Sequence, residues 1–345
     1  MYYGTLIIDD NIRIANKINK YIHKLGAQSI AFMLGNFKLN GCPFMTSKDN
    51  RTKKLLKLGF DLVIEIPSII YINNISDLCN YISNTCRKLN ISKMYLPSEF
   101  SSLKSFKQFH SKFNFYYPSY DNVFHYYLDN NDFVNSKILT NNYIRKFYRL
   151  EIYDYLNLNI INTLKKNQIK IKLIKGNFTL EKTVNEIEQK YFELIKLYFT
   201  LNSSSNILIN KQIDITTINM IKKHSYKLFN FNELEKLSAP KNFQYSSFFR
   251  SILLSIVNYN KDNILNINEA PIKCLGINRN GSKIIRDFKK NNKDYSHLFV
   301  NSIIPSNSMI EEYQMKIELL YSYLYNKYNA NSDLFKFPIK IKEKY

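Results

Sequence analysis

The hydrophobic positions of the first hundred residues switch repeatedly between two rhythms. Gly4–Ile8 is a short, branched apolar run that predicts a buried strand, while Ile12 to Lys24 has helical spacing, with Ile14, Ile18, Ile22 and Leu25 on one face. Ser29–Leu34 predicts a second strand, ending in Gly35-Asn36-Phe37. Lys48–Leu58 predicts a basic amphipathic helix that stops at Gly59, as helices often stop at glycine. Asp61–Ile66 (DLVIEI) predicts a third strand closed by Pro67, Ile75–Leu89 a helix, and Lys93–Leu96 a fourth strand. Strands separated by helices of this length imply a parallel sheet with right-handed crossovers. Such a sheet places its ligand beyond the carboxyl ends of the strands. Here those ends are Ile8-Asp9-Asp10, Gly35-Asn36-Phe37, Ile66-Pro67-Ser68 and Pro97-Ser98-Glu99.

The later pattern changes character. Ile169–Ile174 predicts another strand, ending at Gly176. From about residue 180 the apolar spacing is helical, over 180–200, 213–229, 245–258 and 308–328, with Ser203-Ser204-Ser205 as the clearest interruption. The chain therefore divides into an α/β region, 1–180, and a mainly helical region, 181–345. Residues 101–118 interleave Lys104, Lys107 and Lys112 with Phe106, Phe109, Phe113, Phe115, Tyr116 and Tyr117. That mixture can stack and clamp nucleic acid, and a core-facing aromatic stripe produces the same pattern.

Composition narrows the class. A chain of 345 residues with 45% hydrophobic and 15% aromatic content can bury a substantial core. No run approaches 18 apolar residues, so no membrane span is expected, and the N-terminus lacks the shape of a signal peptide. Lys+Arg number 49 against 28 Asp+Glu, a formal charge of +21 that suits a polyanionic partner. Asn reaches 45 and Trp is absent, while Arg is scarce, so codon bias toward Lys offers a second source for the charge. Cys42, Cys79, Cys86 and Cys274 are scattered, as are His23, His110, His125, His224 and His297, so neither metal spacing nor a disulfide framework is present. A reducing cytoplasm fits this usage.

Met33–Pro67, MLGNFKLNGCPFMTSKDNRTKKLLKLGFDLVIEIP, resembles a segment of the bacterial tRNA(Met) cytidine acetate ligases that runs M-S-G-N-F-x-Q-R-G-E-P-A…D-K-W-x-R…G-V-D-L-V-I-E-L-P. Lys93–Glu99 (KMYLPSE) is similar to the family's strand ending F-G-S-E, and Leu139–Asn142 (LTNN) to its P-N-N. Phe249–Asn258 and Ile272–Lys290 resemble its R-x-L-L-x-I-L-L and R-x-L-G-F…G…L…K segments, in the same order. The resemblance implies a nucleotidyltransferase-type, Rossmann-like α/β domain of the HIGH superfamily with a helical C-terminal part. It also implies activation of acetate by ATP with Mg²⁺ and transfer of the acetyl group to the wobble cytidine of elongator tRNA(Met). On matched positions it assigns nucleotide contacts to Gly35, Asn36, Ser98 and Asn142, and contacts to phosphate or RNA to Lys48, Arg51 and Arg250.

The same comparison exposes departures. The family's N-P-F-H-N-G-H falls on Asp10-Asn11-Ile12-Arg13-Ile14-Ala15-Asn16, which has neither imidazole nor glycine. The glycine of F-G-S-E becomes Pro97, no S-A-T-x-I-R lies near 176–184, and the basic K-T-K-R-Y-T-R-T-R run becomes Ala239–Ser247 with one Lys. Three readings follow: an acetate ligase with a rebuilt phosphate site, a member that binds RNA or ribosome without acylating, and a nucleotidyltransferase of altered substrate.

Overall fold

A computed structural model describes residues 1–9, 12–39, 41–98, 100–111, 152–176, 186–201, 222–223, 245–260, 263–291, 299–300, 308–325 and 338–340. Asn142, the 213–229 helix (save two residues), the 203–205 serines and residues 112–118 of the 101–118 aromatic run lie outside them.

The expected β/α alternation forms. β1 (Tyr2–Ile7), α1 (Ile12–Lys24), β2 (Gln28–Leu34), α2 (Lys48–Lys57) and β3 (Leu62–Ile66) follow in sequence. After them come two consecutive helices, α3 (Ser68–Asn73) and α4 (Ile75–Lys88), then β4 (Ile91–Ser98) and α5 (Leu103–Ser111). Further on lie α6 (Ile152–Lys166), β5 (Lys170–Lys175), α7 (Glu186–Leu201), α8 (Tyr245–Ile256), β6 (Ile272–Ile277), α9 (Arg279–Asn291), β7 (Phe299–Val300), α10 (Met309–Leu324) and β8 (Ile339–Lys340). The sheet order is β5-β4-β1-β2-β3-β6-β7, with β8 also on β6. β1 to β5 pair in parallel, whereas β6 runs antiparallel to β3. The periodicity gave no strand at β6; its six residues are buried throughout, and a short apolar run carries no period to distinguish strand from helix.

The caps are chemically legible. Ser47 caps α2 by accepting a hydrogen bond from the Asn50 amide, and α2 ends against Gly59 at φ +94°. Ser308 caps α10 by accepting from the Glu311 amide, and its hydroxyl donates to the Glu311 carboxylate at 2.9 Å. Ile14, Ile18 and Ile22 bury the predicted face of α1 against Tyr95 and Ile174 on one side of the sheet. α3, α4, α6, α7, α8 and α10 share the larger core on the other side. The expected face of α1 thus holds, except that Leu25 lies past the helix end and is exposed.

The chain leaves β1 for β2 and β3 on one side, then returns to β4 and β5 on the other. The direction of winding reverses between β1 and β4, and the carboxyl ends there open the crevice where such sheets place ligands.

Candidate functional site

At the reversal, β1 delivers Asp9, β4 ends at Ser98, and α1 begins with Arg13, Ile14, Ala15 and Asn16. Ser98 is buried; its Oγ accepts from the Phe100 amide at 3.0 Å and its carbonyl from Gly176 at 3.0 Å. Gly176 is required by close approach, because a Cβ there would lie 2.6 Å from Ile14 Cδ1. Ile14 therefore packs onto the loop after β5, while Arg13 stays exposed. His23 lies in the last turn, about 15 Å along the helix axis from Arg13 at 1.5 Å per residue. Its Nε2 is 3.0 Å from the Gly59 carbonyl and 3.3 Å from Ser29 Oγ. The start of α1 consequently offers one exposed guanidinium and no imidazole, a donor set that does not fit the paired-histidine cradle expected for a triphosphate. Among the described residues no cluster of His, Cys, Asp and Glu could hold a metal ion.

One strand over, the matched G-N-F loop is built differently from a solvent-facing phosphate loop. Gly35 follows β2; a Cβ on it would meet Ser68 Oγ at 2.4 Å and Glu65 Oε1 at 3.1 Å. Asn36, with no exposed surface, donates through Nδ2 to Glu318 Oε2 at 2.8 Å and accepts from the Lys48 amide at 3.3 Å. The loop turns back on itself where Phe37 bridges Pro43 and the Phe44 amide donates to the Asn36 carbonyl at 2.9 Å. Tyr71 donates to the Phe37 carbonyl at 2.6 Å and Tyr321 to the Phe44 carbonyl at 2.9 Å. Arg51 completes the clamp: Nη1 donates to the Leu34 carbonyl at 3.1 Å, Nε to that of Thr46 at 3.2 Å, and Nη2 to that of Gly35. Its guanidinium also lies 3.8 Å from the Phe44 ring centroid.

Lys48 is just as fully enclosed. Its Nζ is 2.8 Å from Glu318 Oε2 and 3.3 Å from Glu65 Oε1. Glu65 in turn faces Lys273, its registered partner on the antiparallel β6, at 3.3 Å. That last contact is an ion pair without a well-aligned hydrogen bond, since Lys273 Nζ finds no donor geometry to any acceptor. Gln314 joins the group, donating to Glu318 at 2.7 Å and accepting from the Ile69 amide at 3.3 Å. Burial alone would raise the Glu65 carboxyl, yet Lys273 and Lys48 hold it down at about 2. Burial raises Glu318, with Glu65 pushing the same way against the pull of Lys48. Burial lowers Lys273, opposed by Glu65. Two carboxylates sharing Lys48 are thus driven apart in opposite directions.

The sequence assigned Gly35 and Asn36 to the nucleotide and Lys48 and Arg51 to phosphate or RNA; the fold brings the four together, with both cations turned inward and engaged by the protein itself. Arg250 lies elsewhere: it donates to the carbonyls of Ile72 at 2.8 Å and Asn73 at 3.0 Å, covering the C-terminus of α3. The residues missed were Gln314, Glu318 and Lys273. A signal existed for two of them, because Gln314 and Glu318 fall four apart on the buried stripe of α10 where apolar residues are expected.

A family model described as HIGH Nucleotidyl Transferase matches residues 16–136, about a third of the chain. A tRNA(Met) cytidine acetate ligase of Clostridium perfringens is 24% identical, over 90% of this chain and 91% of the relative. One from Thermoanaerobacter sp. is 26% identical, over 84% and 83%. Among solved structures, Thermotoga maritima TmcAL in apo form I superposes with a TM-score of 0.70 at 14% identity, covering 99% of both chains. The same protein bound with alpha-thio ATP gives 0.68 at 15% identity and equal coverage. Along most of its length, then, the chain is similar to tRNA(Met) cytidine acetate ligases, and it shares with them a nucleotidyltransferase-type α/β fold.

Proposed function

We propose that this protein acts on tRNA as an acetate ligase, joining acetate to the wobble cytidine of elongator tRNA(Met) in the cytoplasm. The observation that carries the reading is the extent of the likeness: relatives bearing that name match in order across nine-tenths of the chain. The sheet supports it, because the winding reversal between β1 and β4 provides the crevice that nucleotides occupy in such folds. Forming an amide from acetate in water needs an activated carboxyl, and ATP is the co-substrate that supplies it. The resemblance assigns Gly35, Asn36, Ser98 and Asn142 to the nucleotide; Asn36, buried and held by Glu318 and Lys48, acts there only through the loop it shapes, and Arg13 is an accessible cation at the crevice. Lys48 and Arg51 act on phosphate only through the loop they hold.

A second reading has one specific observation in its favour. Arg13 and Asn16 stand where the resembled motif has its two histidines, and removing comparable transition-state donors costs about a hundred- to thousand-fold in rate each. A protein that binds tRNA without acylating it fits that replacement. The two separate cleanly: purified protein is incubated with ATP, acetate and unmodified tRNA(Met), and nucleosides are resolved by mass spectrometry. N4-acetylcytidine at the wobble position upholds the ligase; its absence, with tRNA binding intact, upholds the binding protein.

A further inference from the structure

The carboxyl edge of the sheet is not the only built surface. At the opposite edge, on the side covered by α1, register places Tyr3 beside Lys93 and Lys93 beside Lys170 across three adjacent strands. The next row sets Tyr95 beside Lys172. Lys172 donates to the Tyr21 hydroxyl and lies 4.3 Å from that ring's centroid; Lys93 lies 5.3 Å from the Tyr95 centroid. The rings of Tyr3 and Tyr21 both tilt against Tyr95 at 5.5 Å, and both remain partly exposed. Lys17, Lys20 and Lys24 continue the charge along the exposed side of α1. None of α1, β4 and β5 contains an Asp or Glu. Asp61, 3.9 Å from His23 at the end of α1, is buried and committed to Ser29, Asn278 and Asn280. The field is felt locally: the Lys172 hydrogen bond, then the charges of Lys172 and Lys93, lower the Tyr21 phenol against its partial desolvation.

Ordinary surface chemistry accounts for part of this. β5 ends the sheet among the described strands, and lysines on edge strands discourage unwanted pairing. That need does not extend to Lys93 on the interior strand β4. Like charges side by side on neighbouring strands are destabilising, and Lys93 stands beside Lys170 with no ion pair to a carboxylate among the described residues. An anionic occupant would relieve it. Partly exposed tyrosines among ammonium groups favour RNA, whose phosphates take the charge and whose bases have faces to stack.

We infer that the α1/β4/β5 face is an RNA-docking surface, engaging the phosphate backbone of tRNA with Lys93, Lys170 and Lys172, and rests on the proposed tRNA substrate for its partner. It lies about 16 Å along β4 from Ser98, at 3.3 Å per residue. The lysine stripe of α1 runs from this surface toward the crevice, so one extended RNA can engage both.

The test uses the full chain and a fluorescein-labelled tRNA(Met) transcript, with anisotropy titrations from 50 to 300 mM salt. The triple variant Lys93→Ser, Lys170→Ser, Lys172→Ser should bind about tenfold or more weakly near 150 mM salt. Its plot of log affinity against log salt should flatten by about 2, close to 0.7–0.9 per lost phosphate contact. The matching triple Lys→Arg variant should bind as the parent does and share its urea midpoint, and the serine variant should unfold at no lower urea than the parent. Unchanged tRNA affinity and slope in the serine variant overturns the inference, as does a loss seen only with phosphatidylserine vesicles. A chain that binds tRNA through these lysines yet makes no N4-acetylcytidine upholds the surface and removes the ligase reading. A chain that acetylates while the serine variant binds unchanged does the reverse.

Discussion

Glu318, on α10 near the end of the chain, lies 2.8 Å from the Nζ of Lys48, the first residue of α2. That contact ties the G-N-F loop at the end of β2 to the last long helix, with both partners essentially inaccessible to solvent. Buried pairs gain little net stability over apolar packing, but breaking one leaves a charge stranded.

Lys48→Met strands Glu65 and Glu318 together and should cost about 3–5 kcal/mol, read from urea unfolding. Lys48→Met combined with Glu318→Leu should recover much of that loss. An additive double variant would mean that the two side chains are not coupled.

Arg51→Lys keeps the positive charge but cannot reach the Leu34, Gly35 and Thr46 carbonyls from one planar group. A loss of about 1–3 kcal/mol is expected. Hydrogen exchange should accelerate first in residues 35–44, because those carbonyls fix the turn. Slow exchange there, with the protein destabilised, would place the role of Arg51 elsewhere.

Glu65 dictates acid sensitivity of a particular sign. Its carboxyl is lowered from 4.5 to about 2 in the folded protein, so the unfolded chain takes up a proton first. Its contribution to stability is present above pH 4.5 and disappears as pH falls toward 2. Urea midpoints measured from pH 6 to pH 2 should drop through that window. In Glu65→Gln the protein starts less stable and the drop is smaller; an identical pH profile would assign the acid sensitivity to other groups.

Arg13 is the exposed cation at the start of α1. Arg13→Ala should weaken ATP binding about tenfold, the scale of one charge-assisted hydrogen bond, with the unfolding midpoint unchanged. Isothermal calorimetry reads this directly, and equal affinity in both proteins would remove Arg13 from the nucleotide site.

Much of the architecture was legible because its cause is local. The alternation of branched strands with α1, α2 and α4 follows from side-chain period, and the stop at Gly59 follows from its positive φ. The resemblance in 33–67 singled out Gly35, Asn36, Lys48 and Arg51, and the fold brings them to one neighbourhood. Their orientation was not legible. Whether Lys48 meets solvent or a carboxylate depends on Glu318, supplied by a helix folded back from the far end of the chain. The glycine at 176 is similar: its need for a bare Cα comes from Ile14, which touches it only once α1 is packed on the sheet.

The surplus of lysine illustrates the same division. Sequence by itself determined the sign and size of the charge, +21, and the strand and helix periods that organise it. Only the tertiary structure decided which lysines neutralise buried carboxylates and which stand in register on an open face. Residue spacing fixes a side chain's face within its own element, whereas its electrostatic partner is set by strand order and helix packing between distant segments.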